Sequence, residues 1–211
     1  MKDDKPPPMR MNLPNQITTA RLFLSIGFLI LLGVFDWARQ SEQIWIMDTA
    51  FVVFVIAGLS DILDGHLARK HNQITAFGRI LDPFVDKVLV IGAFVMFLGG
   101  NFNTKEGVSA SGMEAWMVII IIARELLVSG LRGFSESQGK SYGANWWGKI
   151  KMLLQSITIG WILTSLGRLS DIGWVHQGRQ ILIHVMVFFT IVSVIAYLMA
   201  SKDALSEQSR V

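Results

Sequence analysis

Ser60-Asp61-Ile62-Leu63-Asp64-Gly65-His66-Leu67-Ala68-Arg69 and, nine residues on, Gly78-Arg79-Ile80-Leu81-Asp82-Pro83-Phe84-Val85-Asp86-Lys87 carry four aspartates in two pairs. A helix turns about 100° per residue, so Asp61, Asp64, Gly65 and Ala68 fall on one stripe, and Asp82 and Asp86 lie one turn apart on another. Long apolar runs precede the first stretch and follow the second. The two stretches therefore read as facing ends of two apolar helices joined by a short polar loop. Such helices are antiparallel neighbours with their acidic faces at the same depth, and four carboxylates can converge there.

Working outward, the chain of 211 residues is 52% hydrophobic, with a mean hydropathy of +0.47. One soluble core needs far less apolar surface, so the excess must face lipid, and the fold class is an all-α integral membrane protein. Six spans are expected, at roughly 22–35, 48–68, 80–99, 115–131, 150–166 and 181–200, each near the ~20 residues that cross a bilayer. Residues 12–19 are expected to form a short interfacial helix before the first span. The proline-rich residues 1–11 read as a flexible tail, 12–201 as the membrane domain and 202–211 as a second tail. No small-residue cleavage site follows the polar start, so the first span is not read as a cleaved signal.

There are no cysteines, which excludes disulfides and thiol metal sites. Of the 19 Lys and Arg residues, only Arg39, Lys105, Arg168 and Arg179 fall on one side of the six spans; the other fifteen, the difference, fall on the other. That side, holding both termini and the loops 69–79 and 132–149, is expected to be cytoplasmic. Trp37, Trp45, Trp116 and Trp174 fall near the opposite ends, as interfacial anchors do. The positive charges form no dense stripe, so nucleic acid is not an expected partner.

Carboxylates near a bilayer cost on the order of 3 kcal/mol each on insertion scales and repel one another when grouped. Two divalent cations offset four negative charges, and an all-oxygen donor set suits magnesium or manganese, which keep positions open for phosphate oxygens. Pairing with Arg69, Arg79 and Lys87 accounts for one or two of the acids but not for four at paired spacings. A proton path or ion-coupled transporter is the rival outside enzymology.

The two stretches resemble the signature of the CDP-alcohol phosphatidyltransferase family, Asp-x2-Asp-Gly-x2-Ala-Arg-x8-Gly-x3-Asp-x3-Asp. Asp61, Asp64, Gly65, Ala68, Arg69, Gly78, Asp82 and Asp86 fill all eight fixed positions over 26 residues. The likeness extends to Leu13-Pro14-Asn15-Gln16-Ile17-Thr18 with Arg21. Ile122-Ala123-Arg124-Glu125 and Gly148-Lys149-Ile150-Lys151 resemble the branch that makes phosphatidylglycerophosphate, with Met152 where that branch often has Thr. The resemblance implies the family's six-helix fold, a homodimer in the bacterial inner membrane, and CDP-diacylglycerol as donor. It implies that Asp61, Asp64, Asp82 and Asp86 hold two Mg2+ or Mn2+ ions. Asp86 would be the general base, and Asn15, Thr18, Gly65, Arg69, Thr75 and Gly78 would line the cytidine-diphosphate pocket.

The same resemblance points to sn-glycerol 3-phosphate as acceptor, and an acceptor with its own phosphate needs fixed cations. Arg124 and Arg132 are about 80° apart on a helix, and Lys149 and Lys151 open the next span on the same side. These four are the candidate acceptor-phosphate residues, since arginine grips phosphate bidentately. Arg124, inside an apolar run, needs a partner, and Glu125 is the nearest candidate. Serine, inositol phosphate or phosphatidylglycerol remain alternative acceptors. His66 and His71 read as interfacial side chains, not as ligands.

Overall fold

Each expected span forms a helix, and the helices run longer than the apolar stretches within them. A computed structural model of the protein describes residues 13–70, 76–137 and 146–206, with side chains throughout except at 13–14, 62–70, 76–80, 136–137 and 200–206. The helices are α1 (Leu13–Val34), α2 (Gln40–Lys70), α3 (Ala76–Met96), α4 (Ala115–Ser137), α5 (Trp146–Leu166) and α6 (Gly173–Ser206). Two 3-10 turns, Trp37–Arg39 and Gly100–Phe102, lie in the connections. Among the described residues the only extended pairing is an isolated antiparallel bridge between Asn103 and Ser109.

Two expectations are corrected. Residues 13–19 are not a separate interfacial helix but the opening turns of α1, which runs unbroken to Val34. Pro14 sits in the first turn, where its missing N–H has no intrahelical partner to lose. Asn15 and Thr18 are buried against neighbouring helices, which pins this segment into the bundle. At the other end α6 continues to Ser206, into the segment read as a C-terminal tail. Backbone hydrogen bonding does not stop where the apolar run stops. Residues 1–12 lie outside the described residues.

Among the described residues, three segments are long and apolar enough to cross a membrane, Asn15–Val34, Trp37–Asp61 and Gly173–Met199. α3, α4 and α5 each carry charged residues toward one end. Phe23, Ile30, Leu59, Ile119, Leu126, Ile181 and Phe188 are among many large apolar side chains left exposed on the outside of the bundle. Contiguous exposed apolar surface on this scale marks contact with lipid.

α1 packs against α2 and α3, α5 against α6 and α2, and α4 against α6. Phe28 and Leu32 of α1 and Phe35 just after it are fully buried and meet Phe54, Phe97 and Phe102 in one apolar cluster. Phe28 and Phe54 have ring centroids 5.6 Å apart, and Phe97 and Phe102 meet edge to face, also at 5.6 Å, distances at which aromatic pairs add to burial.

Helix ends leave carbonyls without intrahelical donors. At the end holding the α1–α2, α3–α4 and α5–α6 connections, side chains from other segments supply them. Asn101 Nδ2 donates to the carbonyls of Leu32 and Phe35 at 2.9 and 2.8 Å. Gln40 Nε2 donates to those of Leu166 and Gly167 at 3.1 and 3.0 Å. Arg168 joins Asp48 through two oxygens at 3.0 and 2.9 Å. Trp45, Trp116 and Trp174 are exposed toward this end, whereas Trp37 packs against the core.

Candidate active site

The six described helices, running alternately up and down, bring the start of α1, the end of α2, the start of α3, the end of α4, the start of α5 and the end of α6 to one end of the bundle. Apart from Thr75, which lies outside the described residues, the expected site residues belong to these segments.

Arg21, on α1 and 1% exposed, is the centre of the acidic group. Its Nη1 donates to Asp61 of α2. Asp86 Oδ1 lies 3.6 Å from Nη1, and Asp82 Oδ1 lies 3.7 Å from Nη2. Thr18, one turn before Arg21, donates its hydroxyl to Asp82 Oδ1 at 2.7 Å. A buried guanidinium needs anions, and carboxylates from two other helices supply them. Pro83 interrupts the first half of α3, where a missing N–H leaves a carbonyl of the preceding turn without its donor.

Three of the four expected aspartates are thus brought together. Asp64 lies on α2 one turn beyond Asp61 in backbone, and its side chain lies outside the described residues, as do those of Gly65, Arg69 and Gly78; Thr75 lies outside them altogether. Among the described residues no three acidic or imidazole groups close into a ready-made ion cage. The carboxylates of Asp61, Asp82 and Asp86 are 35, 44 and 43% exposed, open to water rather than sealed. One guanidinium offsets only part of the charge of three carboxylates. All the donors are hard oxygens, so the group fits a divalent ion of the magnesium type.

A second polar group lies between α4, α5 and α6. Arg124 is 8% exposed and Lys151 5% exposed. Arg124 Nε donates to Ser193 of α6 at 3.0 Å, and its Nη1 to Glu125 Oε1 at 3.2 Å. Lys151 of α5 donates to the same Glu125 oxygen. Arg124 Nη2 faces the first turn of α5, where a Cβ placed on Gly148 would stand 3.7 Å from it. Arg132 and Lys149 do not join this group; both side chains are exposed.

The partner expected for Arg124 is the one observed. Two residues gain a place that sequence reasoning did not give them. Arg21 had been noted only as part of a motif, although an arginine inside an apolar span already signals a buried counter-charge. Lys87 had been weighed as a partner of the aspartates, yet its Nζ donates instead to Ser129 of α4. The open cleft lined by Trp37, Asn103, Thr104, Lys105 and Glu106 lies at the opposite end and has no share in this chemistry.

Carboxylates held about a basic side chain, at the same end as a second group of buried cations, suit transfer of a phosphoryl-type group between two anionic substrates. Residues 11–200 match the family model described as CDP-alcohol phosphatidyltransferase. The chain belongs to that family. Three similar relatives carry the name CDP-diacylglycerol–glycerol-3-phosphate 3-phosphatidyltransferase. The one from Bacillus subtilis is 37% identical over 199 residues, covering 92% of this chain and 97% of its own. That from Haemophilus influenzae is 32% identical, covering 93 and 97%. That from Escherichia coli K12 is 31% identical, covering 95 and 100%. As a CDP-alcohol phosphatidyltransferase the chain is a membrane enzyme of phospholipid synthesis.

Proposed function

We propose that this phosphatidyltransferase moves the phosphatidyl group of CDP-diacylglycerol to sn-glycerol 3-phosphate, giving phosphatidylglycerophosphate and CMP. Full-length similarity to relatives bearing that name supports the reading. The observation that carries the choice of acceptor is the buried Arg124–Glu125–Lys151 group at the same end of the bundle as the aspartates. Serine, a zwitterion with no net charge, gives little reason to bury two cations there; an acceptor phosphate does.

Asp61, Asp64, Asp82 and Asp86 are the residues that would hold two Mg2+ or Mn2+ ions. Bound there, such ions would supply charge neutralisation for the pyrophosphate and for the attacking and leaving oxygens. Asp86 accepts the proton of the acceptor hydroxyl, which requires hydrogen-bond reach between them. The hydroxyl oxygen forms a new bond to the lipid-linked phosphorus. The bond from that phosphorus to the bridging oxygen breaks, and CMP leaves with the electron pair. Asn15, Thr18, Gly65, Arg69, Thr75 and Gly78 line the cytidine-diphosphate pocket. Thr18 also holds Asp82 in place. Arg124 and Lys151 hold the acceptor phosphate, with Arg132 and Lys149 at the pocket mouth.

The helices serve as six membrane spans in a bacterial inner membrane, with the site and both termini cytoplasmic, where CMP and a polar acceptor exchange with water while the lipid donor arrives from the bilayer. The family resemblance supports a homodimer.

The test is direct. Purified protein is incubated with CDP-diacylglycerol and a panel of alcohols, and CMP and the lipid formed are identified. Glycerol 3-phosphate is expected to be the acceptor used. EDTA is expected to abolish turnover and added Mg2+ or Mn2+ to restore it. CMP release with serine alone would reject the acceptor, and ion flux in liposomes without CMP release would reject the chemistry.

A further inference from the structure

Beside Asp86 on α3 stands a cation to which neither half of the site gives a part. Lys87 sends its ammonium away from the aspartates and donates to Ser129 Oγ on α4. Ser129 is one turn beyond Glu125 on α4, so this ammonium lands next to the Arg124–Glu125–Lys151 group. That group consists of Arg124 and Glu125 of α4, Lys151 of α5 and Ser193 of α6, bonded to one another. Three cations and one carboxylate leave two positive charges. A phosphate monoester at neutral pH carries about −1.5 to −2.

We propose that Lys87 is the third cation of the acceptor-phosphate pocket and a determinant of specificity for phosphorylated acceptors. The inference rests on the reading above that the acceptor carries a phosphate. Lys87 is only half-buried, so a ligand from water can reach it, and its partner is a neutral hydroxyl. Exchanging that hydroxyl for a phosphate oxygen replaces a neutral acceptor with a charged one, roughly doubling the strength of the bond. Consecutive helical residues diverge by about 100°, so Asp86 and Lys87 do not compete for one point in space. One helix can then address the acceptor's hydroxyl through Asp86 and its phosphate through Lys87. Glu125, touching both Arg124 and Lys151, is the carboxylate that keeps those cations together.

The full-length protein in detergent, with Mg2+ and both substrates, tests this. In Lys87→Gln the KM for glycerol 3-phosphate is expected to rise about tenfold or more, the usual scale for one charge-assisted bond. The KM for CDP-diacylglycerol and the kcat at saturating acceptor are expected to stay unchanged. Inorganic phosphate, competing with the acceptor, is expected to inhibit correspondingly less, and Lys87→Arg to recover most of the loss. A fall in kcat with both KM values unchanged would overturn the inference, because Lys87 would then act on Asp86. So would an unchanged acceptor KM, or a shift of every constant together with a lowered melting temperature. Should Lys87→Gln not fold, Lys87→Arg carries the test: a changed phosphate inhibition constant with unchanged donor KM supports the role, and an unchanged one removes it. The wild-type acceptor panel separates the two levels. If the wild type ignores glycerol 3-phosphate, the underlying reading fails; if it uses it and Lys87→Gln keeps its KM, only the role of Lys87 fails.

Discussion

Arg21 balances part of the charge that its three aspartates would otherwise turn on one another. Replacing it with glutamine removes one partner of a group whose carboxylates are already partly solvated. The expected cost is therefore about 1–2 kcal/mol, below the 3–5 kcal/mol typical of fully buried pairs. The melting temperature of Arg21→Gln should fall in EDTA and recover when Mg2+ is added, because another cation can take over the role. Asp86→Asn tests the other function of the group. Loss of a general base should lower kcat by about 10²–10⁴, read as CMP released per enzyme. Spacing alone made the aspartates legible, since paired intervals of three and four residues force them onto single faces. Arg21 was not legible in the same way, because its partners come from α2 and α3 and only tertiary packing joins them.

At the scale of the helix, the acceptor residues divide by geometry that the sequence already contained. Lys149 and Lys151 are two residues apart, so they diverge by about 200° and only one can enter the bundle. Lys151 does. Arg132 lies eight residues beyond Arg124, about 12 Å further along α4, which carries it out to the exposed end. Helix existence was readable throughout, and helix ends were not. Apolar windows mark where lipid lies, whereas caps decide where a helix stops. Asn101 is one such cap, holding two carbonyls at the end of α1. Asn101→Ala leaves both without this donor in a largely buried place. It should destabilise the protein by about 1–3 kcal/mol, seen as a lower thermal midpoint, with little change in the KM of either substrate.

For the molecule as a whole, the distribution of Lys and Arg and the succession of six helices place every site-bearing segment on one side. The chain lacks cysteine, so single cysteines report topology without background. A cysteine at Lys140 should react with a membrane-impermeant maleimide only in inverted vesicles, and one at Lys105 only in right-side-out cells. The reverse pattern would invert the assignment. What sequence could not disclose at this scale is how the polar groups divide into two clusters joined by α3. That division depends on which helices touch, and the apolar runs are too alike to rank their neighbours.

The carbonyl caps contributed by Asn101 and Gln40, and the Arg168–Asp48 pair, all sit at the end remote from the aspartates. The aspartate end is tied as well, but through charged and hydroxyl groups that substrates can take over. The bundle, clamped at the other extremity, therefore behaves like a pair of tweezers whose tips part more readily than the hinge. Two acyl tails could then slide between helices sideways while the gripped end keeps its register. Distances between spin labels on the tips should accordingly spread more widely than those near the clamp, and equal widths at both ends would show that the bundle moves as one block.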